Sequence, residues 1–253
     1  MPDKPHIIAV IPARYGSTRL AAKPLIDLCG KPMIRHVYER TKLATLVDDV
    51  IVATDHNKIA DVVHSFGGKV IMTPTESATG SDRIAWAAGK LSNAAIIVNV
   101  QGDEPLIAPQ MIDQAIAPMI ADASIEVNTL AKRITDPEEV VNPNIVKIAL
   151  DAASYALYFS RSTIPYLRDE KDTASWVTKH DFIKHFGIYV YRRDVLLKFA
   201  GWKESPLERA EKLEQLRFLD NGVRIKVTFT EFDTIPIDTE YDAERVREIL
   251  QNA

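Results

Sequence analysis

HIIAVIPARYGSTRLAAKPL, residues 6–25, carries the clearest structural signal in the chain. Its first six residues form a nearly continuous apolar run, which predicts a strand buried on both faces. Because Pro12 has no backbone N–H, we expect ladder pairing to stop there and a loop to follow over residues 13–23. Three cations, Arg14, Arg19 and Lys23, fall in that loop. A cation-rich loop at a strand end predicts an anion site, although a solvated charged loop has the same composition.

Apolar runs alternate with segments of helical period along the first half of the chain. The later runs cover residues 48–54, 69–73 and 94–100, and helices are predicted from near Lys31 and over about 57–66, 82–92 and 109–121. This alternation is typical of a parallel sheet covered by helices on both faces. In such sheets, ligands bind beyond the carboxyl ends of the strands. Here those ends are rich in polar residues, Gly or Pro: IPARYGSTR, VATDHN, MTPTESATGSDR and VNVQGDEP.

The second half of the chain has a different pattern, with adjoining strand-like segments. EVNTLAKR, NIVKIAL, YALYFSR and HFGIYVYRR indicate antiparallel strands. Residues 205–222 then predict one helix ending at Asn221-Gly222, followed by the strand RIKVTFTEF and a last helix, EYDAERVREILQN. The fold class is therefore α/β, with a mostly parallel, Rossmann-like central sheet and an antiparallel subregion.

Composition excludes several classes of protein. A formal charge of -4 argues against a general nucleic-acid coat, so any functional basic groups must act locally. The single cysteine excludes an intrachain disulfide framework and a CxxC metal site. The short apolar stretch near the N-terminus is interrupted by Pro and Arg, so no signal peptide and no membrane insertion are predicted. We therefore expect a cytoplasmic protein.

The loop after the first strand matches neither of the two commonest phosphate-binding motifs. It lacks both the GxxxxGK[ST] and the GxGxxG spacing. It does contain Gly16 for backbone approach, Ser17 and Thr18 as donors, Arg19 as a fork-shaped donor and Lys23 as a point charge. This set suits a polyphosphate better than a single carboxylate, so the inferred ligand is a nucleoside triphosphate.

A carboxylate follows the fourth apolar run in VNVQGDEP. Asp103 is placed after a glycine at the ligand edge of the sheet, where Mg²⁺ binds to one or two carboxylates and substrate phosphates. Its neighbour Glu104 is explained as well by a position at the N-terminus of the next helix as by metal binding. The segment DTIPIDTEYD offers Asp233, Asp238 and Asp242 as a second carboxylate, and we choose Asp238 because Asp242 falls in the start of the last helix.

Seven ordered motifs make the chain resemble a known family. They are IPARYGSTRLAAKPL, ATGSDR, VNVQGDEP, YFSRSTIP, KHFGIYVYRR, AEKLEQLR and PIDT, and they span essentially the whole chain. They resemble the 3-deoxy-manno-octulosonate (Kdo) cytidylyltransferases, the CMP-Kdo synthetases of Gram-negative lipopolysaccharide synthesis. The resemblance implies a homodimeric, Mg²⁺-dependent nucleotidyltransferase that makes CMP-Kdo and pyrophosphate from CTP and Kdo.

The resemblance also implies a nucleotide-diphospho-sugar transferase fold in a single domain over residues 1–253. The nucleotide-binding part covers about 1–125, the sugar-binding and dimerisation part about 126–235, and a C-terminal helix returns to the core. The implied nucleotide-binding residues are Arg14, Ser17, Arg19, Lys23, Thr79, Ser81, Arg83 and Gln101. The implied sugar-binding residues are Gln101, Arg161, His185, Tyr189, Glu211 and Gln215. Lys23, Asp103 and Asp238 are the implied catalytic residues, and Asp103 and Asp238 the metal ligands.

Structural roles compete with several of these assignments. His185 begins a predicted strand and suits hydrogen bonding to the sugar or the core better than a role as base. Arg161 and Tyr189 fit an ion pair and sheet packing as well as they fit substrate contact. Glu211 and Gln215, four apart and so on one helical face, fit a solvated helix surface as well.

The chain departs from the family pattern at two positions. Ala22 stands where the family commonly has Gly, which is tolerable only with a negative φ, and Ser77 stands where the family has His. The departures leave open a modified octulosonate, such as 8-amino-Kdo, or a divergent member that uses Kdo itself. A cytidylyltransferase for another acidic sugar, such as a sialic acid, is the nearest alternative, and the ordered YFSR, GIYVYRR and EKLEQLR segments favour Kdo over it. A glycosyltransferase would be expected to carry a DxD-type motif, which QGDEP is not. A nucleotide-binding protein without turnover is the non-enzymatic alternative.

Overall fold

A computed structural model describes residues 4–16, 20, 22–75 and 79–252. Within these residues, one sheet contains nine strands and a second contains two. The strands are β1 (Ile7–Ala13), β2 (Asp27–Leu28), β3 (Lys31–Pro32), β4 (Asp49–Thr54), β5 (Lys69–Met72), β6 (Ile96–Asn99), β7 (Val127–Arg133), β8 (Lys147–Leu150), β9 (Ala156–Ser160), β10 (Ile183–Arg192) and β11 (Ile225–Phe229). The helices are α1 (Met33–Thr41), α2 (Asn57–Ser65), α3 (Gly80–Lys90), α4 (Pro109–Ala121), α5 (Pro137–Val141), α6 (Trp176–Lys179), α7 (Arg193–Phe199), α8 (Pro206–Glu211), α9 (Leu216–Asp220) and α10 (Glu240–Gln251).

The large sheet is mostly parallel, with the strand order β11-β7-β10-β6-β1-β4-β5. β10 is antiparallel to both of its neighbours, β6 and β7, whereas the other neighbouring strands along this order pair in parallel. β8 and β9 form an antiparallel pair that joins the sheet through β10. This arrangement confirms the α/β class with a mostly parallel sheet and a smaller antiparallel part.

The first strand continues through Pro12, so the prediction that pairing stops there was wrong. Pro12 and Ala13 lie opposite Ala53 and Thr54 of β4. Alternate residues of a strand direct their polar backbone groups to the same side, and the carbonyl of Val10 accepts a hydrogen bond from the β6 side. β6 ends level with Val10. The N–H that Pro12 lacks would therefore point past the end of β6, where no ladder bond is lost.

Residues 205–222 form two short helices, α8 and α9, so the prediction of one helix was wrong. Lys212 adopts a left-handed φ of 54° and ends α8. The turn lets Leu213 and Leu216 both become buried, and it returns Arg217 to Glu208, whose carboxylate accepts from the Arg217 Nε at 2.8 Å. Both members of this ion pair are buried, so each supplies the opposite charge without which the other would be an uncompensated charge in the interior.

Both faces of the sheet are covered, because alternate residues of β1 enter different clusters. Ile7 and Ile11 pack on the side of α1, α2 and α4, whereas Ile8 and Val10 pack on the side of α3 and α7. None of the helices in the described part of the chain is long and apolar enough to cross a membrane.

A small third cluster fixes the C-terminal segment beside the start of the chain. Ile237, Ala243 and Val246 pack against Leu28 and Met33. α10 begins with a capping box in which the side chains of Thr239 and Asp242 accept hydrogen bonds from each other's backbone N–H. This packing brings the segment before α10 to the carboxyl ends of β1 and β6.

Candidate active site

A cleft of about 580 Å³ opens at the carboxyl ends of β1 and β6. Its walls come from the loop after β1, the start of α3, the loop after β6, the middle of β10, the α8–α9 turn and the segment before α10. The residues implied from sequence that line it are Arg14, Lys23, Thr79, Ser81, Arg83, Gln101, Asp103, His185, Tyr189, Gln215 and Asp238. Residues that are distant in sequence therefore meet in one site.

Lys23 lies between two carboxylates. Its Nζ is 2.7 Å from Asp103 Oδ2 and 2.9 Å from Asp238 Oδ1. The backbone ties the two acids together, because the N–H of Ile237 donates to the carbonyl of Asp103 at 2.9 Å. The lysine side chain is 13% exposed, and the two aspartates are 33% and 43% exposed. We call Lys23, Asp103 and Asp238 the charged cluster.

The two aspartates fit a magnesium ion by their chemistry. Their oxygens converge on a single cation, here the ammonium of Lys23, and carboxylate oxygens are the ligands that Mg²⁺ prefers. The described residues contain no group of three or more His, Cys, Asp or Glu side chains able to hold a metal. A metal at Asp103 and Asp238 would therefore need further oxygens from a bound phosphate or water.

The other acids of the C-terminal segment are used elsewhere. Asp233 is paired with Lys132 and Lys184 across β7 and β10. Asp242 accepts hydrogen bonds from the N–H groups of Asp238 and Thr239 and so caps α10. Only Asp238 of these three lines the cleft.

Glu104 is buried beneath the charged cluster. Burial, together with the neighbouring charge of Asp103, raises the pKa of Glu104 to about 8. Its Oε1 accepts a hydrogen bond from Thr234 Oγ1 at 3.4 Å, and α4 begins only at Pro109. Glu104 is therefore a packed carboxyl group below the site and does not cap the next helix.

Gly102 allows the loop after β6 to cross the end of β1. A Cβ at this position would lie 2.6 Å from the carbonyl oxygen of Pro12, which is closer than real contacts permit. Any other residue would force the backbone of this loop or of β1 to move. The QGD sequence thus has a steric reason for its glycine.

The start of α3 faces the cleft but is occupied by protein groups. Thr79 accepts from the Asp82 N–H at 3.1 Å and caps the helix. The N–H of Ser81 donates to Glu214 Oε2 at 3.2 Å, and burial raises the pKa of Glu214. Glu214 lines the cleft, whereas sequence reasoning selected its neighbours Glu211 and Gln215. The break at Lys212 rotates Glu214 inward, and a single-helix reading could not show this.

Arg83 reaches the cleft while holding two strand ends together. Its guanidinium lies 2.8 Å from Asp55 Oδ2 and also hydrogen-bonds Thr73 Oγ1. Asp55 follows β4 and Thr73 follows β5, and the arginine side chain is 4% exposed. Its charge is thus largely used within the protein.

An irregularity in β10 shapes the opposite wall. Pairing with β7 jumps from Phe186 to Tyr189, and the two residues between them bulge. The carbonyl of Gly187 accepts from Gln101 Nε2 at 2.8 Å, and a Cβ on Gly187 would lie 3.3 Å from Gln101 Cγ. The bulge therefore gives Gln101 a fixed backbone partner.

His185, Tyr189 and Gln215 form a second group, which we call the neutral cluster. Burial lowers the pKa of His185 to about 3 and raises that of Tyr189, so both are uncharged at neutral pH. Tyr189 Oη and Gln215 Nε2 are buried and make no hydrogen bond of standard geometry among the described residues, although the Thr129 side chain is near enough to the Tyr189 hydroxyl to interact with it. Such atoms are costly unless a ligand satisfies them.

Arg161 and Glu211 are partners of each other and do not line the cleft. Arg161 Nε donates to the Glu211 carbonyl at 2.8 Å, and its backbone N–H donates to Glu211 Oε2 at 3.0 Å. Because α8 ends between Glu211 and Gln215, the prediction that these two share one helical face was wrong. Gln215 enters the cleft and Glu211 joins β9 to α8.

The loop after β1 is described only in part. Ser17 and Arg19, and also Ser77, lie outside the described residues. Ala22 has a φ of 51°, so it adopts the left-handed conformation and not the negative φ that its substitution for Gly requires. The backbone at this point has the shape that a glycine would give it.

The arrangement suits transfer of a phosphorus group. Arg14, Lys23 and two carboxylates able to share a magnesium ion line the same cleft as the uncharged side chains of the neutral cluster. The sequence matches the cytidylyltransferase family over residues 8–225.

Curated relatives and a solved structure agree with this match. The chain is 53% identical to a 3-deoxy-manno-octulosonate cytidylyltransferase of Geobacter metallireducens, covering 96% of this chain and 97% of that protein. It is also 53% identical to one from Geotalea uraniireducens, covering 97% and 99%. The structure of a CMP:2-keto-3-deoxy-manno-octonic acid synthetase complexed with CTP is 42% identical, with a TM-score of 0.91 over 98% of this chain and 99% of that one. The chain therefore belongs to the cytidylyltransferase family, among the 3-deoxy-manno-octulosonate cytidylyltransferases.

Proposed function

We propose that this protein activates Kdo with CTP, forming CMP-Kdo and pyrophosphate for lipopolysaccharide synthesis. The observation that carries the proposal is the position of Lys23 between Asp103 and Asp238 at the ligand edge of the sheet. Family membership supplies the reaction class, and the relatives named for Kdo supply the sugar.

The charged cluster serves the triphosphate. In the proposed reaction the anomeric hydroxyl of the sugar attacks the α-phosphorus in line and loses its proton to solvent, while the bond from the α-phosphorus to the α,β-bridging oxygen breaks and pyrophosphate leaves. Lys23 and Arg14 place positive charge against the triphosphate and its leaving group. Because the chain supplies no nucleophile of its own in this scheme, its contribution is positioning and charge neutralisation.

Asp103 and Asp238 are the proposed ligands of Mg²⁺. When bound, the ion supplies further positive charge against the phosphate oxygens. Lys23 holds both carboxylates in place through its ion pairs with them. Removal of divalent ions with a chelator is expected to stop turnover, and measurement of the Mg²⁺ dependence of pyrophosphate release tests this role.

The neutral cluster serves the sugar. Tyr189 Oη and Gln215 Nε2 are buried polar atoms ready to pair with hydroxyl or carboxylate groups of an acidic sugar. Gln101, held by the Gly187 carbonyl, lies between this cluster and Asp103 in the wall of the cleft. Arg161 and Glu211 act on the sugar only indirectly, by fixing the turn that carries Gln215.

A homodimer in the cytoplasm is the proposed state of the protein. Exposed apolar side chains in the antiparallel region, Leu157 at 63% and Tyr166 at 74% exposure, suit contact with a second copy. Light scattering tests this, with a mass of about twice the 28.3 kDa of one chain as the expected result.

The decisive experiment is pyrophosphate release in the presence of Mg²⁺. CTP is compared with UTP, and Kdo with 8-amino-Kdo and a sialic acid, in parallel. Release with CTP and Kdo is the expected outcome. Pyrophosphate release with another sugar but not with Kdo would mean that Kdo is not the substrate. Nucleotide binding without pyrophosphate release in the presence of any of these sugars overturns the enzyme assignment. The Ala22 departure does not favour an altered sugar, because the backbone there keeps the conformation of a glycine.

A further inference from the structure

Thr129 lies in the middle of β7, fully buried, behind the bulge of β10. Its Oγ1 is 3.0 Å from His185 Nε2, 2.7 Å from the carbonyl oxygen of Ile188 and 3.2 Å from that of Phe186. One hydroxyl thus meets three atoms of the strand that forms the wall of the cleft.

The hydroxyl has one proton, and its neighbours decide where that proton goes. Carbonyl oxygens only accept hydrogen bonds, so the short 2.7 Å contact requires the Thr129 hydroxyl to donate to the Ile188 carbonyl. His185 Nε2 must then donate to Oγ1. The opposite arrangement would place two oxygen lone pairs against each other at 2.7 Å.

The ring of His185 therefore has a defined tautomer. Burial keeps the imidazole neutral, so it carries a single N–H. With that proton on Nε2, Nδ1 presents a lone pair. His185 lines the cleft, and within the described ranges its ring has no hydrogen-bond partner other than Thr129.

We propose that Thr129 is a positioning residue that fixes His185 as the Nε2–H tautomer, so that Nδ1 accepts a hydrogen bond from a hydroxyl of the sugar. The proposal rests on the proposed function in one respect, namely that the cleft takes a hydroxylated acid. An acceptor at this position favours a hydroxyl and disfavours a group that can only accept.

The tautomer is measured first, in the wild-type protein without substrate. The chain has six histidines, so ¹⁵N-labelled histidine gives few signals, and the His185→Asn variant identifies those of His185. Long-range ¹H–¹⁵N correlation spectra distinguish the protonated from the unprotonated ring nitrogen. The proposal expects a proton on Nε2, and a proton on Nδ1 overturns it whether or not the protein has any activity.

Two variants then connect the tautomer to the sugar. Thr129→Val has nearly the same shape and no hydroxyl, whereas Thr129→Ser keeps the hydroxyl. Thr129→Val is expected to lose the Nε2–H signature and to raise the KM for Kdo about tenfold, with the KM for CTP unchanged. Thr129→Ser is expected to restore both within about twofold.

A third variant controls for general damage to the sheet. Thr228 lies on the neighbouring strand β11, and its Oγ1 donates to Asn128 Oδ1 at 3.2 Å, away from the cleft. Thr228→Val should leave the His185 signals and both KM values unchanged. If Thr129→Val raises the KM values for CTP and Kdo equally, or leaves the tautomer and the KM for Kdo unchanged, Thr129 has a structural role only. Failure of the wild type to use any sugar contradicts the proposed function and leaves the tautomer result standing.

Discussion

The charged cluster and the neutral cluster occupy the same cleft but differ in how they are prepared for a ligand. Lys23, Asp103 and Asp238 are partly exposed, and the single ammonium of Lys23 pairs with both carboxylates. Tyr189 and Gln215 are buried, and each has a polar atom that no group in the described part of the chain satisfies. A triphosphate carries enough charge to replace internal ion pairs, whereas a sugar gives mainly neutral hydrogen bonds, which are worth most where the protein has already excluded water.

Removal of one carboxylate from the charged cluster should have the largest effect. Asp103→Asn keeps the shape of the side chain but removes a charge that both Lys23 and the proposed metal use. We expect kcat to fall about 10³-fold, equivalent to about 4 kcal/mol. Steady-state pyrophosphate release measures the change. Asp233→Asn, which alters an ion pair outside the cleft, is the matched control, and equal losses in the two variants would contradict a special role for Asp103.

The buried acid below the charged cluster should give the protein a pH dependence. Because the pKa of Glu104 is raised to about 8 from 4.5, the folded state binds its proton more tightly than the unfolded state. The contribution of Glu104 to the stability of the folded state is fully present below pH 4.5 and is lost as the pH rises through about 8. Glu104→Gln removes this loss of stability. The free energy of unfolding of the variant, relative to that of the wild type, should therefore increase by up to about 3 kcal/mol between pH 5 and pH 8.

Urea titrations of both proteins at several pH values, with a chelator present, measure this difference. An identical pH profile for Glu104→Gln and the wild type would show that Glu104 is not held protonated. The same mutation leaves the acceptor for Thr234 in place, so the comparison isolates the charge.

In the neutral cluster, a single hydroxyl should lower the stability of the protein and strengthen sugar binding. Tyr189→Phe deletes a buried Oη that makes no hydrogen bond of standard geometry among the described residues. The free protein should become more stable by about 1 kcal/mol, whereas the KM for the sugar should rise about tenfold. Thermal unfolding and sugar titrations measure the two effects. Loss of stability together with unchanged KM would mean that the hydroxyl is used within the protein and not by the ligand.

How much of this site the sequence predicted depends on the physical origin of each contact. Strand-end position selected Lys23 and Asp103, because they follow β1 and β6, whose ends meet at one edge of the parallel sheet. Asp238 follows neither strand and was selected from its own segment and the order of the motifs. Thr129 was missed, since its role depends on a bulge that two strands form together. Glu214 was missed because the left-handed turn at Lys212 has no Gly to signal it.

The smallest expected effect concerns the loop that carries Lys23. Ala22 has a φ of 51°, and its carbonyl accepts a hydrogen bond from the N–H of Leu25 at 2.7 Å directly across Lys23. The left-handed conformation costs an alanine about 1–2 kcal/mol, which a glycine avoids. Glycine also has more conformational freedom in the unfolded chain, and this offsets part of the gain. Ala22→Gly should therefore stabilise the protein by about 0.5–1 kcal/mol, without changing the distances from Lys23 to its acids.

Gly30 provides the reverse control for this change. It has a φ of 83° with no atom within 4 Å of an added Cβ, so Gly30→Ala introduces the same conformational strain without a clash. Chemical denaturation should show opposite signs for Ala22→Gly and Gly30→Ala. If Ala22→Gly instead destabilises the protein, the left-handed turn beside Lys23 is not the resting conformation of the loop. The charged cluster would then be assembled only when nucleotide binds, and the contrast with the preformed neutral cluster would become sharper still.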